Sequence, residues 1–387
     1  MISKALEKKL ARRIFLSMNM QEDETVAIRS GIHTSTLAEE IALIAMENGI
    51  HPTISLASDS YMKSIYDRVP EKYLKKTSKL SMKIVEAIDN QIGIERPKDP
   101  RILENVSKTK IAAAIQGGRP VSKKMEKYNV KWAYVGYPTK EMADKLKINY
   151  KMFERFIFKG ILLDPKFLMR KSQILLKGLK GAGYVHITDE YGTDLKLHMG
   201  NRKIMVDDGY ISDADIKKKD VGLNLPAGEV FTTPIETRGD GVLISPKRTD
   251  VFTGKMIENI KLVFENGRLN MDKTKAEKNE KAMKETLKKC MAIDRKNEKV
   301  VRTTNAAELG IGLNPIITDI IGYLLTDEKI GGTIHVALGN NKNKAYGGKS
   351  ESCLHWDFIT NKGVNLDVIY PNGRTRNLIV KGKIVGG

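Results

Sequence analysis

Near the C-terminus, the stretch ESCLHWDFITNKGVNLDVIY sets His355 and Asp357 two residues apart around Trp356. In extended backbone alternate side chains share a face. Cys353, His355 and Asp357 then point one way, and Leu354, Trp356 and Phe358 the other. A strand packed through its apolar face would present an imidazole and a carboxylate together. TIHVALG (333–339) repeats the pattern, with Ile334, Val336 and Leu338 opposite Thr333, His335 and Ala337. Two imidazoles and a carboxylate can serve as three ligands of a divalent ion. The alternative reading is that each imidazole hydrogen-bonds inside a barrel-like interior.

Further carboxylates favour the metal. Glu229, in PAGEVFTTPIETRGDGVLI (226–244), stands immediately before an apolar run. Glu308, in NAAELGIGLNP (305–315), is set among alanines and glycines. Acids with apolar or small neighbours are costly to bury unless paired or bound to metal. Glu328, in LTDEKIGGTIH, precedes His335 by seven residues and can reach the same place from a loop. Several carboxylates with two imidazoles suit a pair of divalent ions.

The elements that must position these residues fall into two patterns. Residues 1–150 alternate strands and helices, as in a parallel α/β sheet. The expected strands are 24–31, 53–58, 81–88, 110–118 and 131–138, and a capping box of Thr36 and Glu39 opens a helix through Met46 that Gly49 stops. Residues 139–179 read as mainly helical, with 151–180 joining the N-terminal domain to a strand-rich α+β domain over 181–387. There, KLVFENGRLNM and VIYPNGRTRNLIV carry Asn-Gly between apolar runs, a hairpin signal, and YVHITDEYGTDLKLHMG reads as two strands around a turn. Helices are expected at 272–293 and 315–325, the first with Ala276, Met283, Leu287 and Cys290 as its buried stripe.

Composition sets bounds. The 387 residues, 41% hydrophobic and 29% charged, describe a globular protein with a sizeable core. No apolar run approaches the roughly 18 residues of a membrane span, and the basic amphipathic N-terminus lacks a secretory signal's apolar block. Cys290 and Cys353 give no disulfide framework, so a reducing cytoplasm is expected. The excess of 66 basic over 47 acidic residues raises nucleic acid as a partner. The lysines are interleaved with glutamates four residues on, as in Glu280–Lys284 and Glu285–Lys289, which describes a solvated helix surface and no specific nucleic-acid site. Phosphate-loop, HExxH and GxSxG patterns are absent, and GLKGAG (178–183) reads as a turn. His33, His51, His186 and His198 read as loop or surface histidines.

The ordered motifs GEVFTTP, AELGIGLNP, DEKIGGTIHVALG and SESCLHWDFI resemble those of the thermophilic-type metalloaminopeptidases, the family of aminopeptidase T and aminopeptidase S. ETVAIRSGIHTSTLAEEIALIAMENGIHPTISL, VGYPTKEMADKL and VHITDEYGTDLKL extend the resemblance over nearly the whole chain. It implies an α/β N-terminal domain, a C-terminal metal-binding domain and cytoplasmic homodimers. It also implies two divalent ions (Zn, Co or Mn) held by Glu229, Glu308, His335, His355 and Asp357, with Glu328 as a further ligand. The sequence departs from that family in two places. The family's glutamate stands closer to its histidine than Glu328 does to His335. The family's catalytic tyrosine, seven residues after the first histidine, is here Lys342, with Tyr346 four residues on.

The expected function is release of N-terminal residues from peptides with a free N-terminus, through water activated by two metals. Glu308 bridges the ions in this reading, and Tyr346 or Lys342 steadies the oxyanion. Two other readings stand beside it. One is a ring-cleaving dioxygenase, which resembles the same family and holds a single iron on two histidines and an aspartate, here His335, His355 and Asp357. The other is a basic, non-catalytic binding protein.

Overall fold

A computed structural model describes residues 2–342 and 347–385. The chain divides into one unit of Met1–Leu163 with Gly209–Ala227 and a second of Asp164–Asp208 with Gly228–Gly387. The helix Tyr150–Ile161 thus belongs to the first unit and the helix Pro165–Leu179 to the second.

The first unit is built on a five-stranded parallel sheet. Its order is His51–Ala57, Thr25–Gly31, Asn90–Ile94, Lys131–Val135 and Gly222–Leu225. Ile28 lies beside Ile54 on one side and Ile92 on the other, which lines β-branched residues across the sheet. Val26, Ile28, Ile92, Ile94, Val135 and Leu225 are buried, as strands covered by helices require.

Two expected strands of this unit are helices. Residues 81–87 belong to Lys79–Ala87, with Ile88 just past its end; the helix is capped by Ser78, whose hydroxyl accepts from the Ser81 N–H. The apolar Ile84, Val85 and Ile88 follow helical spacing, and they pack with Ala27 and Val130. Residues 110–118 lie in Lys108–Tyr128. The alanine run favours helix, and Gly117 lets another segment approach: a Cβ there would strike the Leu74 backbone. The Thr36–Glu39 capping box does not form. The helix begins two residues earlier, as Ser35–Glu47 with Thr34 at its N-cap position, and the Thr36 hydroxyl donates to Glu7 Oε1 at 2.5 Å.

The second unit holds two antiparallel sheets, one of nine strands and one of five. The three expected hairpin turns are present in the larger sheet. Tyr184–Thr188 pairs Asp194–His198, Met256–Glu265 pairs Arg268–Leu269, and Asn365–Ile369 pairs Thr375–Val380. The helix expected at 272–293 starts later, at Glu280–Glu298, because Lys275–Lys278 pairs as a strand with Met256–Glu265. Met283, Leu287 and Cys290 form its buried stripe, while Ala276 sits in that strand opposite Ile260. The helix expected at 315–325 is reduced to Leu324–Asp327. There the buried Asp327 carboxylate accepts from the Ile321 and Gly322 N–H groups, each at 2.9 Å, and that local bonding competes with helix. The result is an N-terminal parallel α/β domain joined to a strand-rich α+β domain.

Candidate metal centre

The five-stranded sheet runs His355–Ile359, Ile334–Gly339, Ala306–Gly312, Glu229–Thr232, Ile204–Asp207. Directly opposed residues in antiparallel strands share a face, so the register places the site. Glu308, Ala337 and Asp357 form one row across three strands. Gly310 opposes His335, Gly339 opposes His355, and Asp207, Glu229 and Gly312 form another row. Glu229, Glu308, His335, His355 and Asp357 therefore emerge on one face, with glycine and alanine between them. The opposite face carries Val230, Leu309, Ile311, Ile334, Val336, Leu338, Trp356 and Phe358, all essentially without solvent exposure. Burying each contributes about 2 kcal/mol, which holds the polar face in place from behind.

The small residues are a geometric requirement. A Cβ on Gly310 would overlap the His335 imidazole, and one on Gly312 would overlap the Ile330 backbone where the 328–331 segment crosses. That segment is fixed by the Asn314 N–H donating to the Lys329 carbonyl at 2.9 Å, and the Gly331 N–H to the Asn314 carbonyl at 3.0 Å. On the last strand, Asp294 accepts from the Ser352 hydroxyl at 3.0 Å and the Cys353 N–H at 3.2 Å, which anchors the approach to His355. The Trp356 indole donates to the Thr249 carbonyl at 3.2 Å.

The side chains converge. Oxygen and nitrogen atoms of Glu308, His355 and Asp357 lie within 4.8 Å of one another. His355 Nε2 is 3.2 Å from Asp357 Oδ1 and 3.8 Å from Glu308 Oε2. His335 Nε2 is 3.4 Å from Glu308 Oε1 and 3.7 Å from Glu229 Oε2. The His355 Nδ1–H donates to the Asn340 carbonyl at 2.8 Å, which turns Nε2 toward the acids, the usual outer support of a ligating imidazole. Glu229 Oε2 and both Asp357 oxygens are buried without a well-formed hydrogen bond. Lone pairs left in that state are costly, and a cation at this point would satisfy them. The donor set of carboxylate oxygens and imidazole nitrogens fits a divalent ion.

Glu328 also reaches this corner, but through a residue that sequence reasoning missed. Lys329 is fully buried; its ammonium lies 2.5 Å from Glu229 Oε1, 3.5 Å from Glu328 Oε2 and 3.7 Å from Asp207 Oδ2. In a glycine-bounded loop no periodicity marks a lysine as inward, and its charge reads as solvated. Asp207 was equally hidden, at the end of a short strand; its only signal is that it continues the buried alternation of Met205.

Charges in this cluster condition one another. Burial opposes ionisation of His335, yet the Glu308 hydrogen bond and the charges of Glu229 and Asp357 outweigh it and raise its pKa to about 9. Burial likewise opposes a charged His355, and Asp357 and Glu308 hold it well above the ordinary imidazole value. Asp357 is pushed up by burial but held below the usual carboxylate range by His355, His335 and Arg248. Burial raises Glu328 to about 8 against the pull of Lys329. Burial works against the Lys329 ammonium as well, and Glu229, Glu328 and Asp207 more than offset it.

Lys342 is exposed and pairs with Glu351. Tyr346 lies outside the described residues; Asn341 and the Lys349 N–H both donate to Glu236 Oε1, at 3.0 and 2.7 Å. The other histidines have local partners. His33 faces the Tyr137 ring edge-on at 6.0 Å, His51 is 4.0 Å from Asp23, His186 is 2.7 Å from Asp194, and His198 meets the Tyr184 ring at 4.6 Å.

Comparison with known proteins bears on this geometry. Residues 4–384 match the family described as thermophilic metalloprotease (M29). Aminopeptidase AmpS of Bacillus subtilis (strain 168) is 37% identical over 94 residues, 24% of this chain and 22% of that protein, so the match spans about a fifth of its length. The structure of wild-type AmpT from Thermus thermophilus is similar with a TM-score of 0.77, 19% identity and coverage of 98% of this chain and 99% of that one. A 2,5-dihydroxypyridine dioxygenase from Pseudomonas putida KT2440 has a TM-score of 0.64 at 14% identity, covering 100% of this chain and 99% of that one. At these identities the two structures establish a shared fold.

Proposed function

We propose that this chain, which belongs to the thermophilic metalloprotease (M29) family, is an aminopeptidase that works through two divalent ions. The observation that carries the reading is the convergence of Glu308, His355 and Asp357 within 4.8 Å, with His335 Nε2 3.4 Å from the same Glu308. Glu229, His335 and Glu308 would hold one ion, and Glu308, His355 and Asp357 the other, with Glu328 in reach of the first. When bound, the ions supply Lewis acidity, lowering the pKa of a water, polarising the scissile carbonyl and offering the free amino terminus a coordination position.

The protein's own groups do the rest. Glu308, central among the imidazoles, orients both sides of the site. The Asn340 carbonyl keeps the His355 proton on Nδ1. A carboxylate not engaged in ligation takes the proton from the attacking water, and Tyr346 or Lys342 steadies the oxyanion. A homodimer and a reducing cytoplasmic setting belong to the same proposal.

A one-iron dioxygenase on His335, His355 and Asp357 is the second reading, prompted by the likeness in fold. It leaves Glu229 and Glu308 without a task, although both face His335. Elemental analysis of purified protein beside a panel of aminoacyl chromogenic substrates tests the choice. Two ions per chain with turnover supports the aminopeptidase. A single iron, oxygen uptake on a dihydroxypyridine and no peptide turnover would replace it.

A further inference from the structure

Lys329 has no solvent exposure and its main chain is held at both ends of the peptide unit. Its N–H donates to the Thr326 carbonyl at 3.0 Å, and its carbonyl accepts from the Asn314 N–H at 2.9 Å. The ammonium cannot swing to water without breaking that segment. Three carboxylate oxygens, from Glu229, Glu328 and Asp207, lie 2.5, 3.5 and 3.7 Å from it. An ammonium is buried only where carboxylates compensate it, and clustered carboxyl groups resist ionising together without a cation. The two oxygens of Glu229 are also used differently. Oε1 takes the ammonium at 2.5 Å, and Oε2 is left facing His335 Nε2 at 3.7 Å.

We propose that Lys329 is a built-in cation of this centre: its ammonium fills the position bounded by Asp207, Glu229 and Glu328, and holds Glu229 with Oε2 turned toward the histidines. It is a positioning residue. Because a fixed side chain supplies the positive charge there, the acidic corner keeps its geometry in the metal-free protein and takes no separate ion. The metal count of the proposed centre is thereby limited to the side lined by Glu229 Oε2, His335, Glu308, His355 and Asp357. The stoichiometric part of this inference rests on the proposed metal centre; the metal-free part does not.

The test compares full-length wild type with Lys329→Met, stripped of metal by chelation and then titrated with Mn²⁺. Metal-free Lys329→Met is expected to melt about 10 °C below wild type, as follows from breaking a buried pair. Saturating Mn²⁺ should recover most of that loss, and elemental analysis should find one more ion per chain than in wild type. Melting within about 2 °C of wild type overturns the proposal. So does a loss of stability with no added ion, which assigns Lys329 to ordinary ion pairing. If Lys329→Met does not fold, the double variant Glu229→Gln/Lys329→Met, which removes both charges of the closest pair, is expected to fold; failure of both overturns the proposal. If wild type itself binds no Mn²⁺, the metal-centre reading fails, while the metal-free melting comparison still decides the role of Lys329.

Discussion

Gly310 stands directly opposite His335 in the pairing of their strands, and the imidazole occupies the space that a side chain at 310 would need. The histidine reaches Glu308 and Glu229 only because its neighbour has no Cβ. His335 is fully buried, so its ring cannot move aside into solvent. Gly310→Ala is therefore expected to cost about 1–3 kcal/mol in urea unfolding and to weaken metal binding at least tenfold by calorimetry. Unchanged metal affinity would place His335 outside the centre.

Replacing His355 or Asp357 with Ala should abolish peptidase activity and leave the fold intact. Packing of that strand runs through Leu354, Trp356 and Phe358 on the other face, which the substitutions leave in place. Circular dichroism checks the fold and chromogenic hydrolysis the activity. Full activity in either variant would remove both residues from the site.

Stability of the metal-free protein should fall as pH rises from about neutral to 9. His335 has a folded pKa near 9 against an ordinary 6.5, so its stabilisation is complete below 6.5 and lost as pH climbs through 9. The shift corresponds to about 3 kcal/mol. Glu328, raised from 4.5 to about 8, changes stability in the same direction. Asp357, held low, contributes stability above its ordinary 3.8 that is lost as pH falls below it. Urea midpoints of metal-stripped protein between pH 5 and 9.5 should thus decline on the alkaline side, and metal binding should release protons from the imidazoles. A flat profile to pH 9 would mean that His335 is not charged in the metal-free state.

Dipeptides with a free amino terminus should be cleaved and their N-acetylated forms should not, because acetylation removes the amine that would occupy a coordination position. Liquid chromatography of paired substrates decides the matter. Equal turnover would point to an endopeptidase or another hydrolase.

Local pattern alone determined much of this protein. Alternation in TIHVALG and SCLHWDFI put the apolar residues behind and His335, His355 and Asp357 in front, since the strand period is a property of backbone geometry and needs no knowledge of neighbours. Asn-Gly marked its hairpins for the same local reason. Where local signals were ambiguous the sequence misled. Residues 81–88 and 110–118 have apolar runs that suit strand or helix, and packing against Ala27 and the close approach of Leu74 chose helix.

What tertiary structure decided was which residues meet across strands. The register that sets Glu308 beside Ala337 and Asp357, and Gly310 beside His335, depends on pairing between segments dozens of residues apart. No single segment contains that information. The same holds for Lys329. A lysine is buried only where distant chain supplies its counter-charges, and here Glu229 and Asp207 come from strands about a hundred residues earlier in the sequence. Electrostatic compensation is a property of assembled neighbours, so its partners became visible only once the sheet had formed.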